Sequence, residues 1–571
     1  MQRAGSYRMF LCASHLSDCA ARSDPTGSGP AEPTPGAAPD HPYSSRFFLP
    51  PRFLTVPAVA LFLSLTLLPL LALSLKFVFQ PGAEFSALFL SSRQLGLLIK
   101  SILLALGTSV AAVSLGIGLA FLTCRTDLPG KNAFRYILLL PLLIPPHLHA
   151  IAWLKLLEVD GALGAASLFL RRSISSPDAL GLIGAIAILT LAYYPLVILF
   201  GIGGLASLDQ GLEEAAWLHR EDWVIARRIH LRLLRPHILA AGLIVFLFSL
   251  SEYGVPALLG VNVYPVEIFI QFSAFYSPQG AFLMTVPALV LAMVLVLLQQ
   301  SLQRGRPSMA LEHGGRRLIF RLGRARWPVC VGVGIVVLVS LLIPMGTFVI
   351  SAAELQRVLQ ALAASYRAML LTVCFSVMSA TAALAVALVI ASLLENSRPS
   401  RQRLLGILIF LPLAIPSTLL GVGLISLLNS PATQVLYTSF PMLVIADMGR
   451  FSPLAVMALS PAMCQVSPAL KEAAALSGRS WTRTMWKVIL PLISPGISTA
   501  WIVVYVLSLG ELGTTLLVIP PGIETLPLRI YNLMHYGVYP IVAVLSLALV
   551  GLGFLPIVAV VALGKRMRVE P

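Results

Sequence analysis

Charge is what this 571-residue sequence has least of: Asp, Glu, Lys and Arg make up 11% of it, against roughly a quarter in soluble domains. With 57% hydrophobic residues and a mean hydropathy of +0.88, the chain falls outside the soluble globular class. Cysteine is sparse too. The six present (Cys12, Cys19, Cys124, Cys330, Cys374, Cys464) form no CxxC pair, which argues against a disulfide framework and against a metal site. A GxxxxGK[ST] phosphate loop is missing, since Gly130-Lys131 and Gly564-Lys565 lack both the earlier glycine and the following Ser/Thr. Any ATP hydrolysis therefore belongs to another chain. No Ser/His/Asp, paired-carboxylate or Cys/His constellation points to an enzyme, so no catalytic residue and no metal ligand is assigned. What charge there is leans basic, 40 Lys+Arg against 24 Asp+Glu. These residues lie between apolar runs, where they orient a chain in a lipid membrane, and no nucleic-acid partner is expected.

A membrane crossing needs about 20 mostly apolar residues. Twelve runs meet that length, near 53–76, 95–122, 134–156, 179–206, 237–260, 281–302, 327–350, 367–394, 404–428, 437–460, 493–518 and 540–563. The fold predicted is an all-α membrane protein of twelve transmembrane helices. Some runs are too long for one straight crossing, which predicts tilts, kinks or surface turns. Residues 1–52, rich in Pro, Gly, Ser and Ala, are expected to be a disordered segment with no cleavable signal peptide, and no function is attached to them. Basic residues recur on alternate loops: Arg46/Arg52, Arg125/Lys131, the Arg220–Arg235 cluster, the linker from Arg304 to Arg326, Arg398/Arg401/Arg403, Lys471 to Lys487 and Lys565 to Arg568. Arg171/Arg172 is the main exception. That pattern predicts a multi-pass inner-membrane protein with both termini cytoplasmic.

One polar island stands out, Ser467 to Pro495, SPALKEAAALSGRSWTRTMWKVILPLISP. Ser467 suits an N-cap and Pro468 the first helical position, while Gly478 supplies the positive φ that ends a helix. A second helix is predicted from Ser480 to the Pro491 region, with Trp481, Met485 and Val488 on one face. The island has a counterpart, Ser207 to Pro236. Glu214-Ala215-Ala216 matches Glu472-Ala473-Ala474 and Trp223 matches Trp481, both at an offset of 258 residues. SLSEYG (Ser249–Gly254) matches SLGELG (Ser508–Gly513) at 259, and Pro141–Pro145 matches Pro412–Pro416 at 271. Three features in one order imply two homologous six-span halves, 53–302 and 327–571, joined by a basic cytoplasmic linker, 303–326. Because matching loops fall on the same side, the repeat is parallel.

Glu472-Ala473-Ala474 followed by Gly478 and a helix ending Ile489-Leu490-Pro491 resembles the EAA loop of permease subunits of ATP-binding-cassette importers. The resemblance covers both halves, so one chain would supply two permease domains. It implies an ATPase dimer docked on the cytoplasmic face at Glu214, Ala215, Ala216, Glu472, Ala473, Ala474 and Gly478, with ATP and Mg bound by that partner and no cofactor in this chain. It also implies a periplasmic or extracellular solute-binding protein on the other face, and membrane lipid around the bundle. The first copy departs from the pattern: Arg220 occupies the place of Gly478, which predicts a weaker first docking loop unless Arg220 lies outside the positive-φ position. The SLSEYG and SLGELG stretches, with Ile144 to Trp153, look like fused permeases of ferric-iron uptake systems. Permeases for thiamine, phosphonate, sulfate, molybdate and polyamines are similar. Two readings from other classes are a proton-driven secondary carrier using Glu252 and Glu511, and a membrane scaffold without transport.

Glu252 and Glu511 each lie deep in a span, where a carboxylate costs at least about 2.5 kcal/mol on insertion scales. Either the pair lines or gates a pathway, or each acid holds a broken helix together beside Gly254/Pro256 or Gly510/Gly513. His147, His149, Lys155 and Glu158 are predicted as interfacial polar residues, because His at i and i+2 share no helix face. His535 and Tyr536, in the last outer loop, are candidates for contact with a binding protein.

Overall fold

In a computed structural model the described residues are 50–79, 91–158, 164, 177–206, 230–302, 319–352, 355–397, 399–476 and 480–566. Glu214, Ala215, Ala216, Arg220, Gly478, residues 1–49 and residues 303–318 of the linker lie outside them. Among the described residues, helices are the only extended regular structure, and backbone pairing between strands is limited to one bridge, Thr126 with Phe320. Such a chain has no water to satisfy its backbone in lipid, so each segment bonds to itself.

The first half runs α1 (Arg52–Thr66), α2 (Leu68–Val78), α3 (Ser92–Arg125), α4 (Lys131–Ile137), α5 (Pro146–Leu157), α6 (Pro177–Ala206), α7 (Arg235–Leu250), α8 (Gly254–Leu258), α9 (Tyr264–Ser273) and α10 (Pro278–Leu302). The second runs α11 (Arg326–Val337), α12 (Ile343–Ser351), α13 (Leu355–Glu395), α14 (Pro399–Phe410), α15 (Ser417–Leu428), α16 (Pro441–Cys464), α17 (Pro468–Leu476), α18 (Trp481–Thr484), α19 (Ser494–Leu509), α20 (Thr515–Val518), α21 (Leu526–His535) and α22 (Tyr539–Arg566). Among the described residues seven spans are long and apolar enough to cross alone, and four bent pairs raise the number to eleven. The 16-residue α7, equivalent to α19 in the repeat, fills the twelfth place.

The bends follow from proline. Leu140–Leu143 and Leu411–Ala414 tighten into 3-10 turns, and the residues before Pro145 and Pro416 are extended, Ile144 at ψ 104° and Ile415 at ψ 121°. A residue preceding proline is pushed out of the α region, so the third segment of each half breaks there, by 90° and 95°.

Each half is centred on three packed helices, α3, α6 and α7 in the first and α13, α16 and α19 in the second. Small residues let them approach: a Cβ on Gly116 of α3 would meet Val197 Cβ of α6 at 2.6 Å. The first segments are exchanged. α1 and α2 pack on α13, α15 and α16 of the other half, with Lys76 Nζ donating to Ser426 O at 2.5 Å. Reciprocally, Val333 and Val337 of α11 join the core of the first half, and Ser340 Oγ lies 3.0 Å from Tyr194 Oη of α6. The halves therefore interlock, and 45–571 is one compact unit.

Candidate functional site

The polar island of the second half forms a bracket at one end of the bundle. α17 follows buried Val466, buries Ala474 and leaves Leu470, Ala473 and Leu476 exposed. Lys471 reaches across to Glu395 at the last turn of α13, and both side chains are largely buried. That ion pair fixes the short helix to the longest helix of its half. After the segment containing Gly478, the Ser480 side chain caps α18 by accepting from Arg483 N–H at 3.4 Å. The expected helix runs unbroken from Trp481 to Leu492, but not as a uniform α-helix. A π turn at Met485–Ile489 adds a residue to the turn, so Met485 and Ile489 are buried, Val488 is half-buried and Trp486 faces out. The chain then turns 81° into α19.

At the corresponding place in the first half, the described residues resume at His230, which is buried against Phe121 (5.9 Å between ring centroids) and Phe320 (5.5 Å). The end of the linker is thus docked rather than free. Phe320 N–H donates to Arg125 O at 2.7 Å, and Leu322 N–H to Asp127 Oδ1 at 2.7 Å.

The second feature lies where the halves meet. α7 stops at Leu250 and α19 at Leu509, and Glu252 and Glu511 stand in the non-helical residues that follow, before α8 and α20. Glu252 accepts from Tyr193 Oη at 3.0 Å and from Gly254 N–H at 3.2 Å. Glu511 accepts from Arg450 Nη1 at 2.5 Å and from Thr514 N–H at 2.8 Å. Each acid therefore bonds the backbone that opens the next short helix, as a capping side chain does. It also bonds a long side chain from the fourth segment of its own half.

These breaks touch across the halves. Ser417 Oγ donates to Ser251 O at 3.1 Å, and the Tyr253 and Tyr531 hydroxyls are 3.0 Å apart. A Cβ on Gly510 would stand 2.5 Å from Pro145 Cγ, so only glycine permits that approach. Gly254 is less tightly met: a Cβ there would lie 3.1 Å from His147 Cβ and 3.4 Å from Leu512 Cδ2 of the other half.

The reading of His147 and His149 as interfacial residues is corrected here. They are 2% and 0% exposed, at the start of α5 just after the Ile144-Pro145 break, where the fold brings that break into the seam. Lys155 and Glu158 do pair, at 2.7 Å, with Lys155 Nζ 4.4 Å from the Tyr539 ring. The His535 ring lies 4.5 Å from that of Tyr531 between centroids, tilted at 58°, and Tyr536 is exposed. Two residues escaped the sequence reading altogether, Asp447 and Arg450 of α16. Asp447 accepts from Ser508 Oγ of α19, one turn before the Arg450–Glu511 pair. Two ionisable residues three apart inside an apolar run were the available signal. Among the described residues no three His, Cys, Asp or Glu side chains are grouped to hold a metal ion.

Residues 383–569 match the family described as the binding-protein-dependent transport system inner membrane component. Over 501 residues, 85% of this chain and 92% of the relative, the sequence is 25% identical to an Fe(3+)-transport system permease protein of Haemophilus influenzae. It is 30% identical over 166 residues to a putative 2-aminoethylphosphonate transport system permease protein of Salmonella typhimurium, covering 29% of this chain and 62% of that one. With the spermidine/putrescine transport system permease protein of Escherichia coli it shares 26% identity over 184 residues, 32% of this chain and 69% of that one.

Proposed function

We propose that this chain is a permease of the binding-protein-dependent importer kind, as the match of residues 383–569 supports, and that it forms the translocation pathway of an ATP-driven importer whose cargo is ferric iron. The pathway runs along the seam between the halves, past Glu252 and Glu511. The observation that carries this reading is that both acids stand in paired helix breaks at a layer where the halves meet, Ser417 bonding Ser251 and Tyr253 bonding Tyr531. An intramembrane carboxylate faces a partner or a water-filled route, and these two face the joint that must open. The similarity to an Fe(3+) permease supports iron. The phosphonate and polyamine relatives keep a second class of cargo as the alternative.

Coupling is assigned to the two polar islands, Glu214–Ala216 and Glu472–Gly478, which dock a separate ATPase dimer that binds ATP and Mg on the cytoplasmic face. Exposed Ala473 and Leu476 offer the contact surface, and the Lys471–Glu395 pair passes its movement to α13. A ligand shifts a two-state bundle only through contacts that differ between the states. Closure of the ATPase pair draws the islands together and reorients the halves, and a solute-binding protein delivers cargo on the other face. The test is a bifunctional cross-link from Ala473→Cys to the ATPase subunit, with its yield changing on addition of ATP. No cross-link in any nucleotide state would overturn the coupling assignment.

A further inference from the structure

The two halves hold equivalent acids with unlike partners. Glu252 is bonded by a neutral hydroxyl, Tyr193, 59 residues upstream, and Glu511 by a guanidinium, Arg450, 61 residues upstream, each on the fourth segment of its half. One turn earlier on the same two helices, Asp447 bonds Ser508, again 61 residues apart. The corresponding first-half positions, Thr190 and Ser249, carry no charge. Glu252 interacts electrostatically with Arg450 and Glu511, and Asp447 with the same two, so the four form one layer across the seam. Buried His147 adjoins it at Gly254, and its Nε2 has no hydrogen-bond partner.

The layer therefore offers three carboxyl groups and one fixed cation. Arg450 holds Glu511 through Nη1 alone, and its guanidinium carbon lies 5.4 Å from the Phe451 ring centroid. In an apolar interior an ionised carboxylate without a cation is costly, so the Arg450 charge beside Glu511 stabilises the closed bundle. We propose that Arg450 is a tethered counter-cation of the pathway: it fills the position of the cargo's positive charge in the closed transporter and must release Glu511 for cargo to pass. This rests on the pathway reading of Glu252 and Glu511 and narrows it, because the cargo is then a cation or a cationic complex. A monovalent cation fails to displace a bonded guanidinium, whereas a polyvalent cation, drawn by the field of the acids in this layer, competes for Glu511. Tyr193 leaves Glu252 without a fixed cation of its own, as the first carboxylate to receive the cargo.

The test uses the complete transporter, this chain with its ATPase and binding protein, in proteoliposomes. Two quantities are read: ATP hydrolysis without the binding protein, and ATP-driven uptake of Fe(III), spermidine or molybdate as probe cargoes. Arg450→Gln is expected to raise unstimulated hydrolysis about tenfold, the shift that loss of one charge-assisted bond gives a two-state equilibrium. Arg450→Lys should restore most of the restraint, and Arg450→Gln combined with Glu511→Gln should return hydrolysis to near the parent value. A purely structural Arg450 would lower the amount of folded protein without rescue by Glu511→Gln. That result, unchanged hydrolysis in Arg450→Gln, or uptake of molybdate alone overturns the proposal. The pathway reading fails separately, if Glu252→Gln and Glu511→Gln leave uptake of every probe intact.

Discussion

Replacing Gly510 by alanine tests whether the halves are as tightly joined at the breaks as their geometry requires. The new Cβ would stand 2.5 Å from Pro145 Cγ and 2.8 Å from Pro145 Cβ, whereas carbon atoms pack at about 3.5–4.0 Å. The proline ring is rigid and sits at a 90° bend, so it has no rotamer to yield and the deficit of about 1 Å falls on the joint between the halves. Overpacking of this kind costs about 1–3 kcal/mol, which moves a closed-to-parted equilibrium by about 5- to 150-fold. Gly254→Ala is the internal control. Its Cβ would lie 3.1 Å from His147 Cβ, close enough for small adjustments to absorb. Spin labels on cysteines at Phe275 and Tyr536, exposed and one in each half, report the separation. Gly510→Ala should lengthen and broaden the distance distribution and lower the melting temperature, Gly254→Ala should do so far less, and Pro145→Ala should recover part of the Gly510→Ala effect. A Gly510→Ala protein with the parent's distances and melting temperature would refute the tight seam.

Lys471→Ala leaves the largely buried Glu395 without its cation, at a cost of about 1.5–3 kcal/mol, and should loosen the bracket. The readout is uptake per ATP hydrolysed, expected to fall, with partial recovery when Glu395→Gln is added; an unchanged ratio argues against the strut. Tyr253→Phe removes the hydroxyl contact with Tyr531 and should cost only about 0.5–1.5 kcal/mol, seen as a small fall in melting temperature with the fold intact. Substitution at Glu472 or Gly478 is expected to impair uptake more than substitution at Glu214, because Arg220 replaces the helix-ending glycine of the first island. Equal losses at both islands would remove that asymmetry.

Much of this arrangement was legible in the sequence because it rests on local chemistry. Apolar runs of sufficient length give the segments, and prolines after Ile144 and Ile415 give the bends. The SLSEYG and SLGELG stretches put both acids at equivalent places. What escaped depends on which surfaces meet. Nothing in an apolar run specifies a neighbour, so the exchange of α1 and α2 with α11 left no trace in composition. Histidines at i and i+2 read as interfacial, because the sequence does not say that the bend carrying them is folded into the seam. Arg450 and Asp447 were visible as charges, but their meaning came only with Ser508 on the last turn of α19 and Glu511 in the break just after it. The π turn was likewise hidden, since Met485–Ile489 has the pattern of an ordinary helix.

In the proposed cycle, ATP hydrolysed by a partner opens the seam for cargo from a binding protein. That cycle is tested most directly by uptake of Fe(III) into proteoliposomes containing this chain, its ATPase and its binding protein, with and without a proton uncoupler. Uptake is expected to require ATP and all three components and to be indifferent to the uncoupler. Uptake that proceeds without the ATPase and collapses with the proton gradient would contradict it.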